Sequence, residues 1–532
     1  MSILPLFEQI TRIPRCSGQE HAIRHWLCQW ATARGFAHQT DSVGNLRIDV
    51  PATPGYEHAP SVAIQGHLDM VCEKTPESRH NFATDALTLR REGDWLSAEG
   101  TTLGADNGVA IAIAQALAEA NIPRPRLELL FTVAEETGLH GAQALQPDFV
   151  RSRILLNLDS EQDGVLIAGC AGGETVAFTL ELEIAPLPPQ WITACLEISG
   201  LQGGHSGVDI HRPRGNAIQI SQRLLDRLPA VRIITLHGGS AHNVIPRDAS
   251  AVFAVPPEDA HLLAHMPTWE TPPAQDPGLR VAVTPRPTPA AAFTQADSAR
   301  WLNLLGRIPH GVQTFMSNHP TKHGRRGGGL SPPCDGLSPP DDDSSPPGNP
   351  EHGRNPEHGR SPEHGDNMVE SSCTLATVET HANLARILTS QRSANPHVLA
   401  ELVARVRGLS DGEACVGNAY PGWQPAWDSP LLALACNTYR TLFGSDAKVD
   451  VIHAGLECGI IGARIPGMDM LSFGPTIVNA HSPQEKLHIP SLDRAHALAR
   501  ALLAALARGP EHGRRGGGLS PPDNPEHGRN DA

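Results

Sequence analysis

At 532 residues the chain exceeds what one ordinary hydrophobic core supports, so two or more domains are expected. A hydrophobic share of 40% with 19% charged residues excludes a largely disordered chain. A formal net charge of -15 excludes a nucleic-acid partner, because phosphate binding needs clustered Lys and Arg. No run approaches the roughly 20 apolar residues of a membrane span. The opening MSILPLFEQITRIPRCSGQEH has acidic and polar residues where an export signal needs an apolar stretch. Ten cysteines are scattered without a CxxC pair and read as reduced, mostly buried thiols. These properties predict a cytoplasmic, enzyme-sized protein.

Residues 6–35 carry helical spacing of Phe7, Ile10, Ile23, Trp26, Leu27 and Trp30, broken near Pro14 and Gly18. Residues 45–50 and 62–65 read as strands, the second running into GHLDM. A helix rich in Ala and Ile is expected over 109–120, directly after GADNG. Two further apolar strands, 127–134 and 154–158, end in EETG and DSE. Apolar strands alternating with helices predict a largely parallel sheet covered on both faces, with ligands at the carboxyl ends of its strands. From about residue 190 the texture changes to an α+β pattern, with strands in LEISGLQGGHSG, VRIITLHGGSAHNVIP and ASAVFAV and a helix over 216–227. Apolar α/β texture returns near Trp423, with a helix over 431–442 and strands at 449–452 and 468–473. The expected organisation is a catalytic domain split into 1–188 and 423–508, with a second domain, 189–422, inserted between the halves.

Two segments fit neither unit. Residues 321–366 contain HGRRGGGLSPP and three PEHG units, and the tail 509–532 repeats the same elements. Such Pro/Gly-rich sequence buries too little apolar surface to offset chain entropy, so both are expected to be disordered. Their histidines (His323, His352, His358, His364, His512, His527) are not assigned a function.

The chemistry-bearing residues sit at the strand ends. His67 and Asp69 alternate, so both side chains can share one side of the sheet, the carboxylate orienting the imidazole as in metal sites. Taken alone, His67 reads as an ordinary loop histidine. Asp106, between glycines ahead of a helix, is either a turn or capping residue or a carboxylate rigid enough to bridge two cations. Glu135 and Glu136 close a buried strand, where adjacent carboxylates repel and lose hydration. A cation on one relieves this and leaves the other as a general base. Asp159 repeats the geometry from another strand, and His481 in GPTIVNAHSPQEKLHI can return to the site from the distant segment. Two histidines and three carboxylates suit zinc, manganese or cobalt, and a shared carboxylate allows two ions about 3.5–4 Å apart. Glu135 would then shuttle a proton from water to the leaving amine.

The motifs HLDMV, GTTLGADNGVAIA, EETGLHGA, LNLDSE, GGHSG, NVIP, HAGLECG and NAHSPQEK, in this order, resemble the M20 metallopeptidases, nearest their aminoacyl-histidine (beta-alanyl-histidine) dipeptidase branch. The resemblance implies an α/β fold in which a split catalytic domain has a mixed sheet sandwiched by helices and a di-metal site. It also implies an inserted α+β domain that closes as a lid over a short peptide and mediates homodimerisation. By the same resemblance the metal ligands are His67, Asp106 (bridging), Glu136, Asp159 and His481, for two divalent ions, zinc first and cobalt or manganese next. Asp69 orients His67, Glu135 is the general base, and His205 stabilises the oxyanion. Asn243, Arg392 and Gly455 hold the peptide backbone and its terminal carboxylate, for which an arginine fork is suited. The segment 321–366 departs from the family, and a surface loop tolerates such length at small entropic cost. A tripeptidase or an N-acyl amino acid deacylase would use the same chemistry. A catalytically dead scaffold would lack a ligand or base, and none is missing here.

Overall fold

The computed structural model describes residues 3–273, 275–316, 368–410 and 412–509. The insertion 321–366, its histidines, Cys334 and nearly all of the tail 509–532 lie outside the described residues. Two large sheets organise the chain.

The first sheet has eight strands in the order Ala37–Thr40, Leu46–Val50, Leu127–Thr132, Val62–His67, Ile154–Asn157, Asp469–Ser472, Val165–Cys170, Lys448–Ile452. Its central pairs are parallel, whereas Leu46–Val50 joins Leu127–Thr132 antiparallel and Asp469–Ser472 meets Val165–Cys170 antiparallel, so the sheet is mixed. The strands are apolar on both faces because both are covered. Ile64, Leu129 and Leu156 enter a core with the helices Leu4–Ile10, His21–Ala33, Ala105–Glu119, Pro430–Phe443 and Ile489–Arg508. Their neighbours Ala63, Leu130 and Leu155 enter another core with His140–Ala144 and Glu457–Arg464. Period-two alternation thus feeds two cores from each strand.

The second sheet has nine strands, including Ile192–Ser199, Arg232–Gly238, Ala249–Val255, Val369–His381 and Leu384–Ser393, joined antiparallel. The helices Ala217–Asp226, Gln295–Arg307 and Pro396–Arg407 contribute to its core. Gly172–Glu181, ahead of the expected boundary at 188, belongs to this sheet, pairing with Leu384–Ser393 and Glu413–Tyr420. The chain therefore passes between sheets at Ala171 and again at 421–423. The two crossings lie side by side, with Cys170 and Trp423 exchanging backbone hydrogen bonds of 2.9 Å.

A small four-stranded sheet completes the site's scaffold. It pairs Ile477–Val478 with Lys486–His488, and the latter with Trp95–Ala98. This brings the late hairpin loop 479–485 beside the segment leading to Asp106. Asn479 and His481 in that loop have positive φ, 55° and 63°.

The thiol expectation is corrected at one pair: Cys16 and Cys72 form a disulfide with a Cα–Cα separation of 5.7 Å. Their partnership spans 56 residues, so no local spacing announced it. Of the remaining described cysteines, Cys170, Cys195, Cys373 and Cys458 are buried free thiols, Cys28 and Cys436 are half-buried, and Cys415 is exposed. Among the described residues no helix is long and apolar enough to cross a membrane.

Candidate active site

The carboxyl ends of three parallel strands converge at one rim. His67 ends the strand Val62–His67, Glu135 and Glu136 follow Leu127–Thr132, and Asp159 follows Ile154–Asn157. Asp106 enters at the start of the helix Ala105–Glu119, and its own φ and ψ (-77°, 107°) are non-helical. Its carboxylate there meets two histidines.

Each oxygen of Asp106 faces a different histidine. Oδ1 lies 3.0 Å from His67 Nε2, and Oδ2 lies 3.0 Å from His481 Nε2. His67 Nε2 is also 3.5 Å from Asp159 Oδ1, and His481 Nε2 is 3.0 Å from Glu136 Oε2. Two groups of imidazole and carboxylate therefore share Asp106 between them. Ligand atoms of His67, Asp106 and Glu136 all fall within 4.8 Å of one another.

Asp69 is fully buried and supports both sides of this rim. Its carboxylate accepts from Ser17 Oγ at 2.7 Å and from the backbone N–H groups of Glu135 and Glu136 at 3.1 and 3.2 Å. His67 Nδ1 lies 3.4 Å from Asp69 Oδ1 and 3.1 Å from the Asp69 carbonyl oxygen. One residue thus contacts the imidazole and hydrogen-bonds the turn that carries both glutamates.

Negative charge is concentrated here. Hydrogen bonds to Asp106 and Glu136 raise His481 to about 11. Burial works against a charged His67, yet Asp159, Asp106 and Asp69 outweigh it and hold the imidazole well above its ordinary value. Burial, opposed by His67 and reinforced by Asp106 and Glu136, raises Asp159 to about 6. Burial, opposed by His67 and reinforced by Asp159, Glu457 and Glu136, holds Glu135 well above the ordinary carboxylate range. Divalent cations would neutralise this excess. The donor set fits them: imidazole nitrogens and carboxylate oxygens, with Glu136 Oε1 buried and lacking a hydrogen-bond partner.

The second group of expected residues also comes together. His205 lies in the short strand Gly204–His205 paired with Val244–Ile245. Its Nδ1 accepts from the N–H groups of Gly207 and Val208 at 3.1 and 3.0 Å, so the ring proton sits on Nε2. Burial, with Arg392 nearby, lowers His205 to about 4 and keeps it neutral. Asn243 is tied to this turn, its carbonyl accepting from Ser206 N–H at 2.8 Å. Arg392 is 4% exposed. It donates to Ser206 Oγ at 3.2 Å and to Tyr420 Oη. Gly455 packs against the Tyr420 ring, where a Cβ would approach Cε2 to 2.9 Å. Gly207 lies against the carbonyl of His453, leaving no room for a side chain. The GGHSG and HAGLECG turns are thereby pressed together.

Several partners in the site lie outside the expected set of functional residues. Arg15, 1% exposed, donates to the carbonyls of Leu68, Asp69 and Gly104. Glu457, fully buried, accepts from Thr132 Oγ1 at 2.7 Å and from Gln65 Nε2. Glu485 lies behind Asp106. It belongs to the NAHSPQEK motif, four residues after His481.

The signature of peptidase family M20/M25/M40 matches residues 63–505. The cytosol non-specific dipeptidase of Escherichia coli strain K12 is 32% identical over 94% of this chain and 96% of its own. The crystal structure of aminoacylhistidine dipeptidase from Vibrio alginolyticus superposes with a TM-score of 0.77 at 32% identity, covering 94% of this chain and 96% of that one. A tripeptidase from Staphylococcus aureus, 15% identical with a TM-score of 0.51 over 95% and 98% of the two chains, shares the fold. With its carboxylate-rich rim on a mixed sheet, and with this match over most of its length, the chain belongs to peptidase family M20/M25/M40.

Proposed function

We propose that the chain is a metal-dependent dipeptidase that hydrolyses Xaa-His and related dipeptides, beta-alanyl-histidine and Cys-Gly among them. The observation that carries this reading is the sharing of Asp106, one oxygen to His67 and one to His481. The names of the Escherichia coli and Vibrio relatives support the substrate class. His67, Asp106 and Asp159 would hold one ion, and His481, Asp106 and Glu136 the other, with zinc favoured and cobalt or manganese as alternatives. When bound, such ions acidify water and polarise a carbonyl.

The chain's own groups do the rest. Glu135, beside Asp159 and Glu136, takes a proton from the attacking water and delivers it to the leaving amine. His205, neutral with its proton on Nε2, donates to the oxygen that becomes negative during attack. Arg392 receives the peptide's terminal carboxylate, with Asn243 and Gly455 bordering the peptide backbone. The residues on the eight-stranded sheet, from 3–171 and 423–509, form the hydrolytic unit, and those between form a cover over the peptide. A homodimer and a cytoplasmic location complete the reading, the latter supported by the name of the Escherichia coli relative.

The test is hydrolysis of beta-Ala-His, Cys-Gly, a tripeptide and an N-acetyl amino acid, before and after chelation with metal loss checked by elemental analysis. Dipeptide turnover that disappears and returns with zinc, manganese or cobalt is the expected result. Turnover that survives complete metal removal would sink the metal assignment. Preference for the tripeptide or the N-acetyl substrate would replace the substrate class.

A further inference from the structure

Behind Asp106 lies a carboxylate that the proposed chemistry does not use. Glu485 is 1% exposed and sits in the same hairpin loop as His481. Its Oε2 accepts from the backbone N–H groups of Leu103 and Gly104 at 2.8 and 2.9 Å. Its Oε1 accepts from Ala105 at 2.7 Å and Asp106 at 3.4 Å. A buried carboxylate is costly unless its oxygens are satisfied, and here four donors converge on them.

Arg15 completes the arrangement. It is attracted to Glu485 and bridges the carbonyls of Leu68 and Asp69 to that of Gly104. Gly104 has φ +65°, and a Cβ there would come within 2.5 Å of Arg15 Nη2 and 2.6 Å of Met70 Sδ. The positive φ favours glycine there, and a side chain would displace Arg15 from its carbonyls. Arg15 and Glu485 thus join three loops: the one after His67, the one before Asp106, and the one bearing His481.

The His481 side chain is 54% exposed and contacts Asp106 and Glu136. Such an exposed ring is not positioned by surrounding packing, so its loop needs an anchor. We infer that Glu485 is a positioning residue that fixes the Asp106 backbone and the His481 loop together, setting the geometry in which Asp106 is shared. The inference rests on the two-ion reading above. A carboxylate is needed because all its sites accept. The amide of glutamine would turn an N–H₂ group toward two of the four donors.

The test uses the full chain, stripped of metal, with wild type, Glu485→Gln and Glu485→Asp compared. Co²⁺ uptake is followed by visible absorption and Zn²⁺ uptake by calorimetry, with circular dichroism to confirm folding. Wild type should take up two ions. Glu485→Gln should bind them about 10–100-fold more weakly, with altered cobalt bands. Its kcat should fall while KM changes by less than about 3-fold. Glu485→Asp, charged but one methylene shorter, should fall between, and it supplies the same readings if the glutamine variant does not fold. A helix cap of purely structural importance would lower Tm and leave ion affinity and the cobalt spectrum unchanged. That result, in a folded variant, overturns the inference. Wild type that takes up no ion overturns the two-ion reading itself, which the wild-type titration reveals separately.

Discussion

At the rim of the eight-stranded sheet, Asp106, Glu135, Glu136 and Asp159 crowd around two histidines, and the histidines are raised in pKa to answer that charge. Across the site, the partners of Arg392 are the hydroxyls of Ser206 and Tyr420, with no carboxylate ion-paired to it among the described residues. The imidazoles beside it, His205 and His453, are depressed to about 4 and about 3, by burial first and Arg392 second. One region has surplus negative charge and the other surplus positive charge, and each is buried enough that the surplus matters. On the proposed reading the first takes cations and the second an anion. A dipeptide with its scissile carbonyl at the first and its carboxylate at the second complements both.

The largest effect is expected from the negative side. Glu135→Gln should lower kcat by about 10²–10⁴-fold, the usual worth of a positioned acid-base group. The metal content, read by elemental analysis, should stay unchanged. Normal turnover in this variant would remove Glu135 from proton transfer. On the positive side, Arg392→Gln should raise KM for dipeptides by about 10–100-fold, the loss of one charge-assisted contact. An unchanged KM would mean that the carboxylate binds elsewhere, and the comparison of signs would lose its second half.

A smaller effect follows from pH. Burial lowers His310 from 6.5 to about 4, so the folded protein favours its neutral ring. That preference contributes fully above pH 6.5 and is lost as pH falls from there through 4. His205 and His453 act in the same direction. Calorimetric Tm should fall across this window, and His310→Gln should flatten part of the slope. An unchanged slope would show that this histidine does not contribute.

The smallest effect is expected outside both regions. The residues flanking the repeat insertion, Met316 and Met368, are hydrogen-bonded at 2.9 Å where Gly311–Phe315 pairs with Val369–His381. Closing that hairpin with a short turn in place of 321–366 should leave kcat/KM within about 2-fold, since loop length changes closure entropy only slowly. A large loss of activity with Tm preserved would give the insertion a role.

Much of this was legible before the fold. The apolar strands ending in GHLDM, EETG and DSE are strands, and the helix expected over 109–120 corresponds to Ala105–Glu119, where Asp106 and Asn107 depart from helical φ and ψ. Local pattern sufficed because each element satisfies its backbone locally or in a neighbouring strand and alternates its apolar side chains with a fixed period. The first crossing between sheets was displaced from 188 to 171, since Gly172–Glu181 looks like any half-buried strand until its partners are known. The Cys16–Cys72 disulfide and the roles of Arg15, Glu457 and Glu485 escaped for a related reason.

By itself, the sequence determined which residue types stand at the strand ends: the histidines and carboxylates of the rim, and the glycine turns around His205 and Gly455. Only the tertiary structure decided how they are shared. Which oxygen of Asp106 faces His67 and which faces His481 depends on a contact 375 residues apart, and the cradle of Glu485 on donors about 380 residues away. Gln65 reaches Glu457 across 392 positions. Hydrogen bonds between such distant segments leave no periodicity in the chain. They exist only once two sheets, a small hairpin and a buried arginine have been packed against one another.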